Sequence, residues 1–371
     1  MKNKKKKIED EYIDDIELDE RDEEEIRRQL RQKRRRAQTF WDRLAGIIIV
    51  TVVIVGCALL GLEYIICKGP SPALRELFVN TMSETRRFRF VPNLMLTEEE
   101  VSAIRTKSVT ADEIEETDTS LITITAAEAV DENGRDAYGL VDEDGDGVIF
   151  QGIKGQGYVG YMLVVLDPNR MFVGMPDAYG GSGLTLEQMV QKYGAKGGIN
   201  AGGFVDEGGA GNGGMPQGLT IINGVRYGND LDCVNGLAGF DKDGILYCGY
   251  YDYDNCQELG IVNAVSFGPV LIYNGEPVPP ESLSTGVNPR TAIGQRADGA
   301  VIMLVIDGRQ AHSIGATYQD VIDLMLSYGV VNACNMDGGS STVMHYEGKY
   351  VNSCSAEGGV ARALPTAFLF K

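Results

Sequence analysis

Charged side chains dominate the first 43 residues without an apolar period, as in KNKKKK and RRQLRQKRRR, so this stretch reads as a solvated tail, helical in part. The pattern then inverts. LAGIIIVTVVIVGCALLGL, residues 44–62, is uncharged and long enough for a hydrocarbon core of about 30 Å, predicting a membrane-spanning helix over 44–67. A signal peptide is the alternative; it would have a shorter apolar region and a small-residue cleavage site, and EYIICKGPSP makes a poor one. The basic cluster Lys33 to Arg36 with Arg43 stays in the cytoplasm, which sends everything after residue 67 outside.

Residues 68–120 hold Pro70, Pro72 and the polar TEEEVSAIRTKSVTADEIEETDTS, and read as a stalk with one or two short helices. From Leu121 to Lys371 the pattern is that of a compact domain. Short β-branched runs alternate with turns, and the pairs Asp-Gly and Asn-Gly between them are hairpin signals. Two helices stand out. LTLEQMVQKYG places Thr185 three residues before Gln188, a capping box, with Gly194 as a stop. GATYQDVIDLMLSYG has Thr317 as N-cap, an inner face of Val321, Ile322, Leu324 and Met325, and Gly329 as its stop. Hairpins outnumber helix crossovers, so the fold class is α+β: a mixed, largely antiparallel sheet with a few packed helices, preceded by the single transmembrane helix.

Both helices end in Tyr-Gly and reach an asparagine seven positions later, Tyr193 to Asn200 and Tyr328 to Asn335. A glycine pair follows each asparagine, in NAGGF and in NMDGGSS, so two helix-strand units deliver similar loops. Such glycines bring a ligand close to the backbone. Chance convergence on Tyr-Gly stops is the plainer alternative.

Composition sharpens the chemistry. The tail carries 14 Lys and Arg and 13 Asp and Glu, and the rest of the chain 20 and 40. An acidic outer region excludes a general nucleic-acid or anionic-lipid binder, so an anionic substrate needs a local cationic pocket. Arg290 in NPRTAIG and Arg309 in LVIDGRQ offer guanidinium forks for phosphate, while Asp307 ends an apolar strand. Either arginine has a carboxylate pairing as its structural alternative, and Asp307 a turn cap. Of two histidines, His312 follows the DGR loop and is a candidate lining residue, whereas His345 sits in a strand; neither has metal spacing, and no metal or cofactor is expected. Asp142, Asp144, Asp146 and Gly147 begin like a calcium loop, but its twelfth position is Ile153, and a hairpin turn fits better. Ser340 and Ser341 lack a nucleophile elbow and read as hydrogen-bond donors. Cys233, Cys248, Cys256, Cys334 and Cys354 lie outside, where disulfides are permitted but their pairing is not legible.

NAGGF (200–204), GGMPQGLTIINGVRYG (213–228), NPRTAIG (288–294), IDGRQAHSIGATYQDVIDLMLSYG (306–329) and NMDGGSSTVMHYEGKYVNS (335–353), in that order, resemble the phosphodiester glycosidase family. Some bacterial members are labelled exopolysaccharide biosynthesis proteins. Where animal members have an NGDFF-type motif this chain has NAGGF, leaving Asp206 as the candidate stand-in for that aspartate. The resemblance implies hydrolysis of a sugar-1-phosphodiester, with a sugar-phosphate or polysaccharide as substrate. For that reaction, residue chemistry assigns Asp337 as base or nucleophile at the anomeric carbon, Asp307 as second carboxylate and Arg290 to the phosphate. Asn200, Gly202, Gly203, Thr291, Arg309, His312, Asn335, Gly338, Gly339, Ser341 and Thr342 would then line the substrate. A glycan-binding protein without turnover and a metal-dependent phosphodiesterase are the alternatives.

Overall fold

The computed structural model describes residues 20–371 except 86, 106–114, 129–130, 132–133, 206–210 and 229–235. Asp206 and Cys233 therefore lie outside the described residues. Two compact units divide at Ile65 and Ile66. In the first, the chain is helical from Glu20 onward, and its apolar stretch exposes Ile47 to Val50 and Val52 to Val55. It belongs to the one helix, among the described residues, long and apolar enough to cross a membrane, and a signal sequence would look the same.

The described residues of 66–371 build three sheets in which every pairing is antiparallel. The largest orders its strands Val148–Gly155, Tyr158–Val165, Val301–Ile306, Arg290–Arg296, Val330–Met336, Val270–Tyr273 and Glu276–Pro277. Its middle strands are buried on both faces, which is why VIMLVI at 301–306 is continuously apolar instead of alternating. The second sheet runs Lys349–Tyr350, Met344–Tyr346, Gly197–Asn200, Ala367–Phe370, Met171–Gly174, and the third Val225–Tyr227, Thr220–Ile222, Ile261–Ser266, Leu237–Asp241, Leu246–Gly249.

Local chemistry sets these registers. Asn223-Gly224 (φ 50° and 78°) and Asn274-Gly275 (φ 50° and 84°) put two consecutive residues in the left-handed region. Type I′ hairpin turns require this, and Asn-Gly supplies it at least cost. Helix Leu186–Tyr193 begins on the Thr185–Gln188 capping box and ends on left-handed Gly194. Helix Tyr318–Ser327 begins on a box between Thr317 and Asp320. His345 lies in a strand, 2% exposed, its ring edge-on to Tyr350, and burial lowers its imidazole pKa.

The Asp142 carboxylate accepts from the Gly145 and Gly147 amides, and Asp146 pairs with Lys196 at 2.8 Å, making a turn into the strand at Val148. Helices Pro72–Ser83 and Glu98–Arg105 occupy the segment read as a stalk, and the first packs on the sheet domain. Its Asn80 Nδ2 donates to Thr285 (3.2 Å), and its Thr81 Oγ1 accepts from the Val287 amide (3.0 Å).

Candidate active site

The two glycine loops meet. Asn200, at the end of its strand, donates from Nδ2 to the Asp337 carbonyl (2.6 Å), and the Asp337 amide donates to the Ala201 carbonyl (2.9 Å). The Asn200 Oδ1 accepts from Thr291 Oγ1 (2.9 Å) and from the Val343 amide (3.0 Å). One fully buried side chain thus fixes the strand end that carries Asp337, the NPR strand and the segment after the second glycine pair. Asn200→Ala would strand three buried polar groups at about 1–3 kcal/mol each. A loss of several kcal/mol in denaturant unfolding is expected; no change in midpoint would refute this role.

Asp337 opens onto a cavity of about 590 Å³ that also receives Arg290, Arg309, Asn335, Gly203, Gly338, Gly339 and Ser341. The glycine pair is small for a packing reason. A Cβ at Gly338 would lie 2.8 Å from the Pro289 carbonyl, and one at Gly339 (φ 61°) would lie 3.2 Å from the Arg309 guanidinium. The Gly339 amide donates to that same Pro289 carbonyl at 3.0 Å, so the NPR motif and the second loop form one wall. Asn335 donates to the Gly268 carbonyl (2.8 Å), and its buried Oδ1 has no hydrogen-bond partner among the described residues.

Arg290 is 4% exposed. Its Nε donates to the Ala316 carbonyl (3.1 Å), its Nη2 to Gly286, and its guanidinium carbon stands 3.8 Å from the Tyr318 ring centre. Burial raises the Tyr318 pKa, with the Arg290 charge acting against it. Arg309 has φ 58°, a left-handed backbone that costs a non-glycine residue about 1–3 kcal/mol and is kept where geometry matters. Its Nη2 donates to Asn288 Oδ1 (2.8 Å) and to the Glu84 carbonyl (3.1 Å). Burial lowers its pKa, Glu84 opposes that, and Arg290 adds to it. A third cation, Arg362, lies 4.3 Å over the Phe204 ring and donates to Ser340 Oγ at 3.3 Å.

Asp307 and His312 belong elsewhere. Asp307 is 1% exposed, and its carboxylate accepts from the Ser353 amide (3.0 Å) and Asn352 Nδ2 (3.2 Å) while standing 3.1 Å from His312 Nε2. Neither residue lines the cavity, so the expectation of Asp307 facing substrate gives way to one of Asp307 tying residues 352–353 to the strand end at Ile306. Thr291 and Thr342 are buried behind the wall, and Gly202 packs 2.6 Å (as a Cβ) from Val265, giving these three structural positions. Sequence reasoning missed Glu84, Phe204, Phe267, Tyr318 and Arg362 on the cavity. Two of these carried a signal: Phe204 as the last residue of the NAGGF motif, and Tyr318 as the first residue of a helix after the DGR loop.

Residues 193–371 match the family model described as phosphodiester glycosidase. An uncharacterized SPbeta prophage-derived protein of Bacillus subtilis is 35% identical over 163 residues, 41% of this chain and 25% of that protein. The N-acetylglucosamine-1-phosphodiester alpha-N-acetylglucosaminidase of Bos taurus is 26% identical over 36% of this chain and 29% of its own length. The matched segment thus spans well under half of either relative. The zebrafish N-acetylglucosamine-1-phosphodiester alpha-N-acetylglucosaminidase catalytic domain, auto-inhibited by its pro-peptide, superposes with a TM-score of 0.51 at 24% identity. That match covers 60% of this chain and 81% of the zebrafish one, and it shows the fold. Motif order, family model and fold coincide: residues 193–371 of this chain match the phosphodiester glycosidase family, on the fold of the zebrafish catalytic domain.

Proposed function

We propose that this chain is a membrane-anchored hydrolase that cleaves the glycosidic bond of a sugar-1-phosphodiester outside the cell, in cell-envelope or exopolysaccharide metabolism. The observation that carries the reading is that Asp337 shares one cavity with Arg290 and Arg309. In this scheme the arginines hold the phosphate and stabilise charge growing on the leaving oxygen. Asp337 acts at the anomeric carbon, as base on water or as nucleophile. The C1–O bond breaks with its electron pair on the phosphate oxygen, and water oxygen ends on C1. Free sugar and a phosphomonoester result, with one proton released. Most glycosidases need a second carboxyl group to protonate the leaving oxygen. A departing phosphomonoester has a last pKa of about 6 and leaves as a stable anion, so one carboxylate with an arginine clamp suffices.

Hydrolysis of a panel of sugar-1-phosphodiesters in oxygen-labelled water tests the bond that breaks. Label in the sugar supports the glycosidase. Label in the phosphate would make the protein a phosphodiesterase, and saturable binding without turnover would make it a glycan-binding protein.

A further inference from the structure

Glu84 lies outside residues 193–371, in none of the motifs above, yet it reaches the cavity. It caps the C-terminus of helix Pro72–Ser83. Its carboxylate accepts from Ser284 Oγ (2.8 Å) and Asn288 Nδ2 (2.5 Å) and stands 3.6 Å from Arg290 Nη1. Its backbone carbonyl accepts from Arg309 Nη2. One residue therefore touches both arginines, one through a charge and the other through a dipole.

This contact is more than charge balance for a buried cation. The Nε and Nη2 of Arg290 already donate to backbone carbonyls, and the Tyr318 ring covers its guanidinium. The Glu84 side chain is 30% exposed and adds a fixed negative charge at the anion-binding end. The cavity then sums three arginines, Arg290, Arg309 and Arg362, against two carboxylates, Glu84 and Asp337. A phosphodiester carries one negative charge, whereas the phosphomonoester left after cleavage carries a second above a pKa of about 6.

We propose that Glu84 is a specificity-determining residue that makes the cavity favour a monoanionic phosphodiester over a dianionic phosphomonoester. It works by like-charge repulsion, the usual way to exclude a close chemical relative. The same repulsion speeds departure of the phosphomonoester. The inference rests on the reading that the arginines hold phosphate.

The test uses the full chain and two probes, dimethyl phosphate, a monoanion throughout, and methyl phosphate, which ionises again near pH about 6. Their dissociation constants are measured by NMR titration for the wild type and for Glu84→Gln. At neutral pH the variant is expected to shift the affinity ratio toward methyl phosphate by about tenfold or more, the scale of one charge a few ångströms away. An unchanged ratio, including an equal shift for both probes, overturns the proposal. In the wild type, methyl phosphate should gain no affinity through its second ionisation, with dimethyl phosphate correcting for titration of the cavity itself. A tenfold gain there would equally overturn it, and this arm decides the matter if the variant does not fold. Failure of both probes to bind the wild type removes the phosphate reading and this inference together; binding of both with an unshifted ratio removes this inference alone.

Discussion

Asp337→Asn is expected to lower kcat for sugar release by about a thousandfold, within the range lost when a positioned acid-base group is removed. Asparagine has nearly the volume of aspartate and leaves the backbone restraints intact. The Asp337 carbonyl still accepts from Asn200 and its amide still donates to Ala201. The melting temperature should therefore stay close to that of the wild type, and KM should change far less than kcat. Residual activity above a tenth of wild type would remove Asp337 from the chemistry. A large drop in melting temperature would instead assign it a structural role.

The largest stability effect should come from Arg296, which touches nothing in the cavity. It is 0% exposed, ends the strand Arg290–Arg296, and lies 4.4 Å from the Tyr138 ring centre. Its guanidinium donates to both oxygens of Asp298 and to Asp136, a residue 160 positions away. Asp136 in turn accepts from the Tyr138 and Leu140 amides at 2.9 Å, so this ion pair fastens the turn at 136–140 to the main sheet. Arg296→Ala leaves the buried Asp136 carboxylate without its cation, a loss of about 3–5 kcal/mol. Denaturant unfolding should show a lower midpoint at unchanged slope. Adding Asp136→Asn should recover part of that loss, because the uncompensated charge is then gone; strictly additive losses would rule out the coupling.

What the sequence revealed follows a physical division. Hairpins were legible because Asn-Gly at 223–224 and 274–275 encodes its turn locally, and both helices because Thr185 and Thr317 announce their own caps. The meeting of the two loops was legible through a repeated pattern, Tyr-Gly to Asn to Gly-Gly, which the Asn200 hydrogen bonds turn into contact. Asp307 was misplaced for an instructive reason. A carboxylate at a strand end looks alike in sequence whether it faces solvent or the backbone of a distant loop, and here Asn352 and Ser353 decide. Glu84 carried no local signal, because its importance comes from a partner 204 positions later, Asn288.

The contact from Asn200 to the Asp337 carbonyl spans 137 positions, and the same asparagine also clamps Thr291 and Val343. The strand that carries Asn200 likewise finds its neighbours only at Met344–Tyr346 and Ala367–Phe370, so the first glycine loop owes its shape to chain that lies 91 or more residues downstream.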